Sequence, residues 1–219
     1  MISLIVPMFN EEKNAKKIIE LIATSIDMKM EIIVVNDGSI DKTKLIVTDL
    51  LKKYSFLKLI NHKKNMGYSK AIGTGLKNTK YNIVSFIDAD LQNHPSDINN
   101  MIKYIDKYGI VVGKRMNRKD TILRLLISRI YNIFIDFLFG ITIKDVNGKP
   151  KVFRNLNFNI ETKEWAIDVE IIHKTKKYGF KVLQIPVKHS SRTSGKSTTN
   201  ITKGIETMIE LLKYRIRSL

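Results

Sequence analysis

The stretch "NIVSFIDADLQNHP", residues 82–95, sets Asp88 and Asp90 one residue apart directly after a nearly continuous apolar run. Two carboxylates at that spacing offer hard oxygen ligands that can converge on one Mg²⁺ or Mn²⁺, a cation that keeps waters and also takes substrate phosphate oxygens. The chemistry of such a cation is to neutralise a leaving diphosphate. The same pattern also suits a solvated acidic turn or a helix start, so the pair alone does not decide. What matters is where it sits. A strand buried on both faces reads as an unbroken apolar run, which places both acids in the loop beyond its carboxyl end, where open α/β sheets bind ligands.

The elements needed to build that edge follow from the alternation of the first half. "SLIVP" is a short β-rich run, and "EEKNAKKIIELIATSI" sets Ala15, Ile18, Ile19, Ile22 and Ile26 on one helical face. "EIIVV" and "NDGS" give a second strand and a turn, after which Leu45, Ile46, Leu50 and Leu51 mark another helix. "LKLI", "NIVSFI" and "GIVVGKR" are further strands, the last two separated by a helix expected to open at Pro95 and to carry Ile98, Met101, Ile102 and Ile105. Strands alternating with helices predict an α/β fold with a mostly parallel central sheet flanked by helices, because parallel neighbours need crossover connections.

Past Lys114 the pattern changes. "ILRLLISRIYNIFIDFLFGITI" is apolar almost all round, broken by Arg124, Arg129 and Asp136. It reads either as a core helix or helix pair, or as an interfacial helix whose Arg side chains snorkel while Phe and Leu insert. The last segment, from Ile201, again has one apolar face and ends in "KYRIRSL". The chain has 219 residues, 43% hydrophobic, with 38 Lys and Arg against 21 Asp and Glu, a net charge of +17. That balance favours an acidic partner: nucleic acid, an anionic membrane or phosphorylated small molecules. Nucleic acid is disfavoured because most aromatics fall within apolar faces or strands instead of alternating with exposed basic residues. There is no cysteine, hence no disulfide framework, and no stretch reads as a signal peptide or a membrane span. A cytoplasmic, peripheral protein is expected.

"VPMFNEE", "VVNDGSIDKT", "NMGYSKAIGTGL", "DADLQNHP" and "VVGKR" occur here in the order and spacing of a known family. The chain resembles the large inverting glycosyltransferase family of nucleotide-sugar enzymes, above all its dolichyl- or polyprenyl-phosphate mannose or glucose synthase branch. "DVNGKPKVF", "DVEIIHKTKKYGFKVLQIPV" and "RTSGKS" extend the likeness over essentially the whole chain. The resemblance implies a nucleotide-diphosphosugar transferase (GT-A type) fold over residues 1–219. A donor half (1–115) would bind a UDP- or GDP-sugar, and an acceptor half (116–219) would take a polyprenyl or dolichyl phosphate at an anionic membrane surface, alone or beside a separate membrane subunit.

The family's site residues carry over as follows. Pro7 through Phe9, Asn10 and Glu11 form the first strand-to-helix turn, where backbone amides can face a nucleotide at the helix N-terminus. Asp37 holds the base, although the preceding acidic position of that motif is Asn36 here. Lys64 and Gly67 suit the approach of a phosphate or base, and Gly73 and Gly75 suggest close helix packing, since glycine within a helix costs ~1 kcal/mol relative to alanine. Asp88 and Asp90 hold Mg²⁺ or Mn²⁺ on the diphosphate, with Gln92 adding an oxygen. Arg115, Arg129 and Arg192 match basic positions near the donor and acceptor phosphates, where the planar guanidinium can grip two oxygens at once. Two segments depart from the branch: the late motif ends in Thr198, with Lys196 supplying charge from another place, and Asn-Gly-Lys-Pro-Lys stands where relatives often carry Ser-Gly-Phe-Arg or -Lys.

The reaction so implied is in-line displacement at the anomeric carbon with inversion. A phosphate acceptor is already anionic and needs little general base, whereas a sugar hydroxyl needs one. Asp168, in "WAIDVEII", is the candidate base. A soluble glycosyltransferase acting on a glycan or protein hydroxyl is the first alternative. A nucleotidyltransferase of related fold would want a Gly-rich basic loop after the first strand, and "VPMFNEE" is not one.

Overall fold

A computed structural model describes residues 1–116, 122–190 and 201–218. Its first half runs β1 (Ile2–Met8), α1 (Ala15–Ser25), β2 (Met30–Asn36), α2 (Thr43–Leu51), β3 (Leu57–Asn61), α3 (Tyr68–Lys77) and β4 (Ile83–Phe86). Two short helices, α4 (Asp97–Ile102) and α5 (Ile105–Tyr108), lead to β5 (Ile110–Arg115). The second half holds α6 (Ile122–Phe139), β6 (Lys151–Arg154), a 3-10 turn (Glu164–Ala166), α7 (Ile167–Lys177), β7 (Val182–Val187) and α8 (Ile201–Arg217).

The strands form one seven-stranded sheet in the order β3-β2-β1-β4-β6-β5-β7. All pairings are parallel except those of β6, which runs antiparallel to both β4 and β5. The mostly parallel α/β sheet is therefore as expected, while β6 carries no strand signal strong enough to read: it is four residues long and charged at both ends. Met8 lies beside Asn36, and Ile5 beside Phe86, so the carboxyl ends of β1, β2 and β4 share one edge. Loops 9–14, 37–42 and 87–96 all leave from that edge.

Successive side chains of a strand point to opposite faces. In β1, Leu4 and Val6 pack under α1, α2 and α4 with Ile18, Ile22, Val47 and Met101, whereas Ile5 packs on the other face with Ile72, Phe86 and Ile172. Both faces are covered, which is why β1 and β2 read as unbroken apolar runs.

Two helix readings change in detail. In α2 it is Val47 and Leu50 that are buried, while Leu45 and Leu51 face solvent; a short segment apolar on every side does not reveal which side packs. The helix expected at Pro95 is split, its first part starting at Asp97 and closing through i→i−3 bonds from Lys103 to Asn100 and from Tyr104 to Met101. Ile98, Met101 and Ile105 are nevertheless buried as the periodicity requires. Helix α6 packs one face into the core and leaves another exposed. Ile135 and Phe139 pack into the core against Leu211 and Tyr214 of α8, and Ile130, Ile133 and Phe137 point outward. No helix among the described residues is long and apolar enough to cross a membrane.

Candidate active site

Asp88 and Asp90 lie just past β4 at the shared carboxyl edge, as the apolar run before them predicts. Asp88 is held by three hydrogen bonds from two groups. Lys149 Nζ donates to both its oxygens, at 3.1 and 3.0 Å, and the Tyr68 hydroxyl donates to Oδ1 at 2.9 Å. Burial opposes ionisation of Asp88, but the Lys149 ammonium and the Tyr68 hydroxyl outweigh it and hold the carboxyl below its ordinary value. Tyr68 moves the other way: burial and the Asp88 charge push its phenol well above normal. Asp90 is buried, and its Oδ1 accepts the backbone N–H of Gln92 at 3.1 Å. Between them and Gln92, Leu91 sits at φ 62°, a left-handed conformation that side chains other than Gly, Asn and Asp seldom take.

Lys149 reaches this point because β6 pairs with β4. Phe86 lies opposite Lys151, so residue 149, two places earlier in an antiparallel strand, falls just beyond the end of β4. Its ammonium stands 4.4 Å from the Tyr68 ring centre, 5.0 Å from that of Trp165 and 5.7 Å from that of Phe86. Tyr68 and Trp165 are themselves stacked, with centroids 4.7 Å apart. The result is a buried cation inside an aromatic cage with one carboxylate in front of it.

The base-binding candidate Asp37 holds backbone together. Its Oδ1 accepts Met66 N–H at 2.9 Å and meets His62 Nδ1 at 2.6 Å, and its Oδ2 accepts Gly67 N–H at 2.9 Å. It thereby fixes the loop that starts α3. Gly67 sits at φ 92°, and a Cβ there would come within 2.9 Å of Glu164 Oε1, so glycine is required at this corner. The Pro7–Glu11 segment is stitched to the neighbouring loop in the same manner. Pro7 lies in β1; Asn10 Oδ1 accepts Ile40 N–H, Asn10 N–H donates to Ser39, and Glu11 N–H donates to Thr43. Phe9 and Lys64 are exposed at the same edge.

The remaining candidates divide. Gln92 is tied to the segment at 190, its amide donating to Ser190 C=O at 3.3 Å. Arg115 makes a two-pronged pair with Asp145 through Nε at 2.9 Å and Nη2 at 2.8 Å. Arg129 is exposed on α6. Arg192 and Lys196 lie outside the described residues. Asp168 has no exposed surface, and its Oδ1 accepts Lys151 Nζ, equally buried, at 2.7 Å. Burial pushes the Lys151 ammonium below its usual pKa against the pull of Asp168. Of the two glycines expected to permit close packing, only Gly75 does: a Cβ there would lie 2.4 Å from Ile5, whereas at Gly73 it would meet Ile160 at an ordinary 3.5 Å.

A divalent metal fits the donor set. Mg²⁺ and Mn²⁺ are commonly held by one or two carboxylates, with waters and substrate phosphate completing the shell. Asp88 and Asp90 supply those two, and among the described residues no group of three or more His, Cys, Asp or Glu is placed to hold a metal by itself. The Lys149 ammonium already lies against Asp88. Lys149, Tyr68 and Trp165 were not singled out from the sequence, although each lies in a stretch quoted for other residues: "DVNGKPKVF", "NMGYSKAIGTGL" and "WAIDVEII".

The fold is shared by a solved glycosyltransferase. Glucosyl-3-phosphoglycerate synthase from Mycobacterium tuberculosis, in complex with Mn²⁺, UDP and glucosyl-3-phosphoglycerate, superposes with a TM-score of 0.74 at 16% identity, over 97% of this chain and 77% of that one. The fold is thus the GT-A type. Among sequence relatives, an undecaprenyl-phosphate 4-deoxy-4-formamido-L-arabinose transferase from Pectobacterium carotovorum is 29% identical over 96% of this chain. This chain spans 66% of that protein's length. A dolichyl-phosphate beta-glucosyltransferase from Trichomonas vaginalis is 30% identical over 98% of this chain and 73% of its own length. The family model described as Glycosyl transferase family 2 matches residues 3–159, most of the chain and all of the edge that carries Asp88 and Asp90. The chain belongs to glycosyl transferase family 2.

Proposed function

We propose that this protein transfers a hexose from a UDP- or GDP-sugar to a polyprenyl or dolichyl phosphate, with inversion, at the cytoplasmic surface of a membrane. The observation that carries the reading is the Asp88–Asp90 pair at the carboxyl edge of a family 2 fold, with the acidic candidate for a base, Asp168, sealed against Lys151. An anionic acceptor makes that sealing harmless, because its oxygen attacks without losing a proton. The relatives named for undecaprenyl and dolichyl phosphate point to the same acceptor class.

In this mechanism the acceptor phosphate oxygen forms a bond to the anomeric carbon as the bond from that carbon to the diphosphate oxygen breaks. The leaving nucleoside diphosphate takes the electron pair. A divalent cation on Asp88 and Asp90 supplies Lewis-acid stabilisation of that charge when bound. Asp90 is positioned by the turn at Gln92, and Asp37, by fixing residues 66 and 67, shapes the wall beside the donor. The outward faces of α6 and α8, with Ile130, Ile133, Phe137, Ile209 and Ile216 exposed among basic residues such as Arg129, Lys213 and Arg217, have the composition of helices lying in a headgroup layer.

A second reading has one observation in its favour: Asp168 Oδ2 has no hydrogen-bond partner among the described residues. If the acceptor were a hydroxyl, that oxygen would receive the proton. The deciding experiment follows labelled sugar from a panel of UDP- and GDP-sugars into organic-extractable polyprenyl phosphate with Mg²⁺ or Mn²⁺, using Asp90→Asn as control. Transfer that needs both the metal and Asp90 is expected. Metal-dependent donor binding with no lipid product would overturn the lipid acceptor, and loss of transfer to a hydroxyl in Asp168→Asn would then install the second reading.

A further inference from the structure

We infer that Lys149 is a tethered counter-cation that occupies Asp88 in the free protein and must be displaced before a divalent metal can bind there. The inference rests on the metal-site reading of Asp88 and Asp90 and concerns what keeps that site closed. Lys149 is 4% exposed, its ammonium spans both oxygens of Asp88, and it accompanies the Tyr68 hydroxyl at 2.5 Å. A cation entering between Asp88 and Asp90 meets a carboxylate whose two oxygens are already covered.

The ammonium has somewhere to stay when it lets go. Tyr68 and Trp165 flank it at 4.4 and 5.0 Å, so it can release Asp88 and remain in the aromatic cage. It would then lie beside the metal as a like charge, an arrangement unfavourable until an anion is shared between them. The diphosphate of a nucleotide is such an anion. Metal alone should therefore bind weakly, and metal with a diphosphate strongly, with Lys149 setting the difference. By linkage, the factor by which diphosphate strengthens metal binding equals that by which metal strengthens diphosphate binding.

The test measures Mn²⁺ binding to the full chain by the loss of the free-ion electron paramagnetic resonance signal, first with Mn²⁺ alone and then with inorganic pyrophosphate. Lys149→Met removes the charge but keeps most of the volume, and should tighten binding of Mn²⁺ alone by about ten-fold or more, since a like charge at this range is worth several-fold to many-fold in affinity. Lys149→Arg should stay as weak as the parent. Lys149→Gln, expected to act in the direction of the Met variant, serves if the Met variant does not melt cooperatively. Equal Mn²⁺ affinity in the parent and both neutral variants, with binding abolished by Asp90→Asn, would overturn this inference and leave the metal site standing. No Mn²⁺ binding in any of them, even with pyrophosphate, would remove the metal site and this inference together.

Discussion

Two Lys–Asp pairs stand two residues apart on one segment and have opposite surroundings. Lys149–Asp88 sits at the cleft edge, where the Asp88 side chain keeps 23% of its exposure; Lys151–Asp168 lies behind it with no exposure on either side. The contrast comes from position along one segment: Lys151 lies in β6 opposite Phe86, inside the sheet, whereas Lys149, two residues earlier, falls just beyond the end of β4 at the cleft edge. One pair can exchange its partner for a ligand, and the other can exchange nothing without breaking the interior. Changes in the sealed region should thus register in stability, and changes on the open edge in binding.

The largest effect is expected at the sealed pair. Lys151→Met leaves Asp168 as an unpaired buried carboxylate, and removing one partner of such a pair typically costs about 3–5 kcal/mol. The measurement is the urea midpoint at neutral pH. Adding Asp168→Leu should recover most of the loss, because it takes away the stranded charge. If Lys151→Met alone left the midpoint within error of the parent, the interior would be far wetter than the structure indicates, and the contrast between the pairs would fail.

The same region should also respond to pH. His173 on α7 is buried, 3.0 Å from the Tyr214 hydroxyl of α8 and edge-on to Phe139 of α6. Burial, aided by Lys177, Arg215, Lys176 and Lys174, lowers its pKa from 6.5 to about 4. Between those values the unfolded chain binds a proton that the folded chain refuses, so stability is full above about pH 6.5 and falls as the pH drops toward about 4. The loss integrates to roughly 3 kcal/mol. A denaturation series from pH 7.5 to 4 on the parent and on His173→Gln should show this slope in the parent and a shallower one in the variant. Equal slopes would place the acid sensitivity elsewhere.

Much of the first half was legible from sequence because each of its strands is a local apolar run and each crossover helix a local period. Asp88 and Asp90 were legible for the same reason: they end such a run. Lys149 was not, since its place depends on β6 pairing with β4, between residues 65 or more positions apart, which no local pattern announces. Asp37 was read as a base contact by resemblance to the family; what no local pattern announced is that its carboxylate engages Met66, Gly67 and His62, groups that the fold brings from 25 to 30 residues away. The register of α2 was ambiguous because Leu45, Ile46, Val47, Leu50 and Leu51 surround the helix. Long-range pairing is what the sequence withheld.

The glycines of α3 sharpen the comparison on a smaller scale. Gly75 faces the interior, and Gly75→Ala would press a methyl into Ile5 of β1, 2.4 Å away; overpacking of this kind costs about 1–3 kcal/mol, partly offset by the better helix propensity of alanine. Gly73→Ala meets Ile160 at an ordinary 3.5 Å and should be neutral or stabilising by up to ~1 kcal/mol. Thermal midpoints of the two variants should move in opposite directions. A shared loss would mean that the helix tolerates no added side chain on either face.

The smallest stability effect belongs to the outer face of α6, where the binding effect should be plain. Ile133 and Phe137 are 63% and 87% exposed, one helical turn apart, so they share a face directed away from the core. Replacing both with serine removes little packing, and surface changes of this kind usually stay within about 0.5 kcal/mol. If this face enters a lipid headgroup region, the same double variant gives up two inserting side chains, each worth about 1.5–3 kcal/mol when fully buried. Sedimentation with vesicles containing anionic phosphatidylglycerol should then show the parent bound and the variant largely in the supernatant, with unchanged melting. Equal sedimentation would mean that the basic residues alone hold the protein to lipid, a result that 0.5 M salt would expose by releasing both proteins, because screening removes charge attraction and leaves insertion intact.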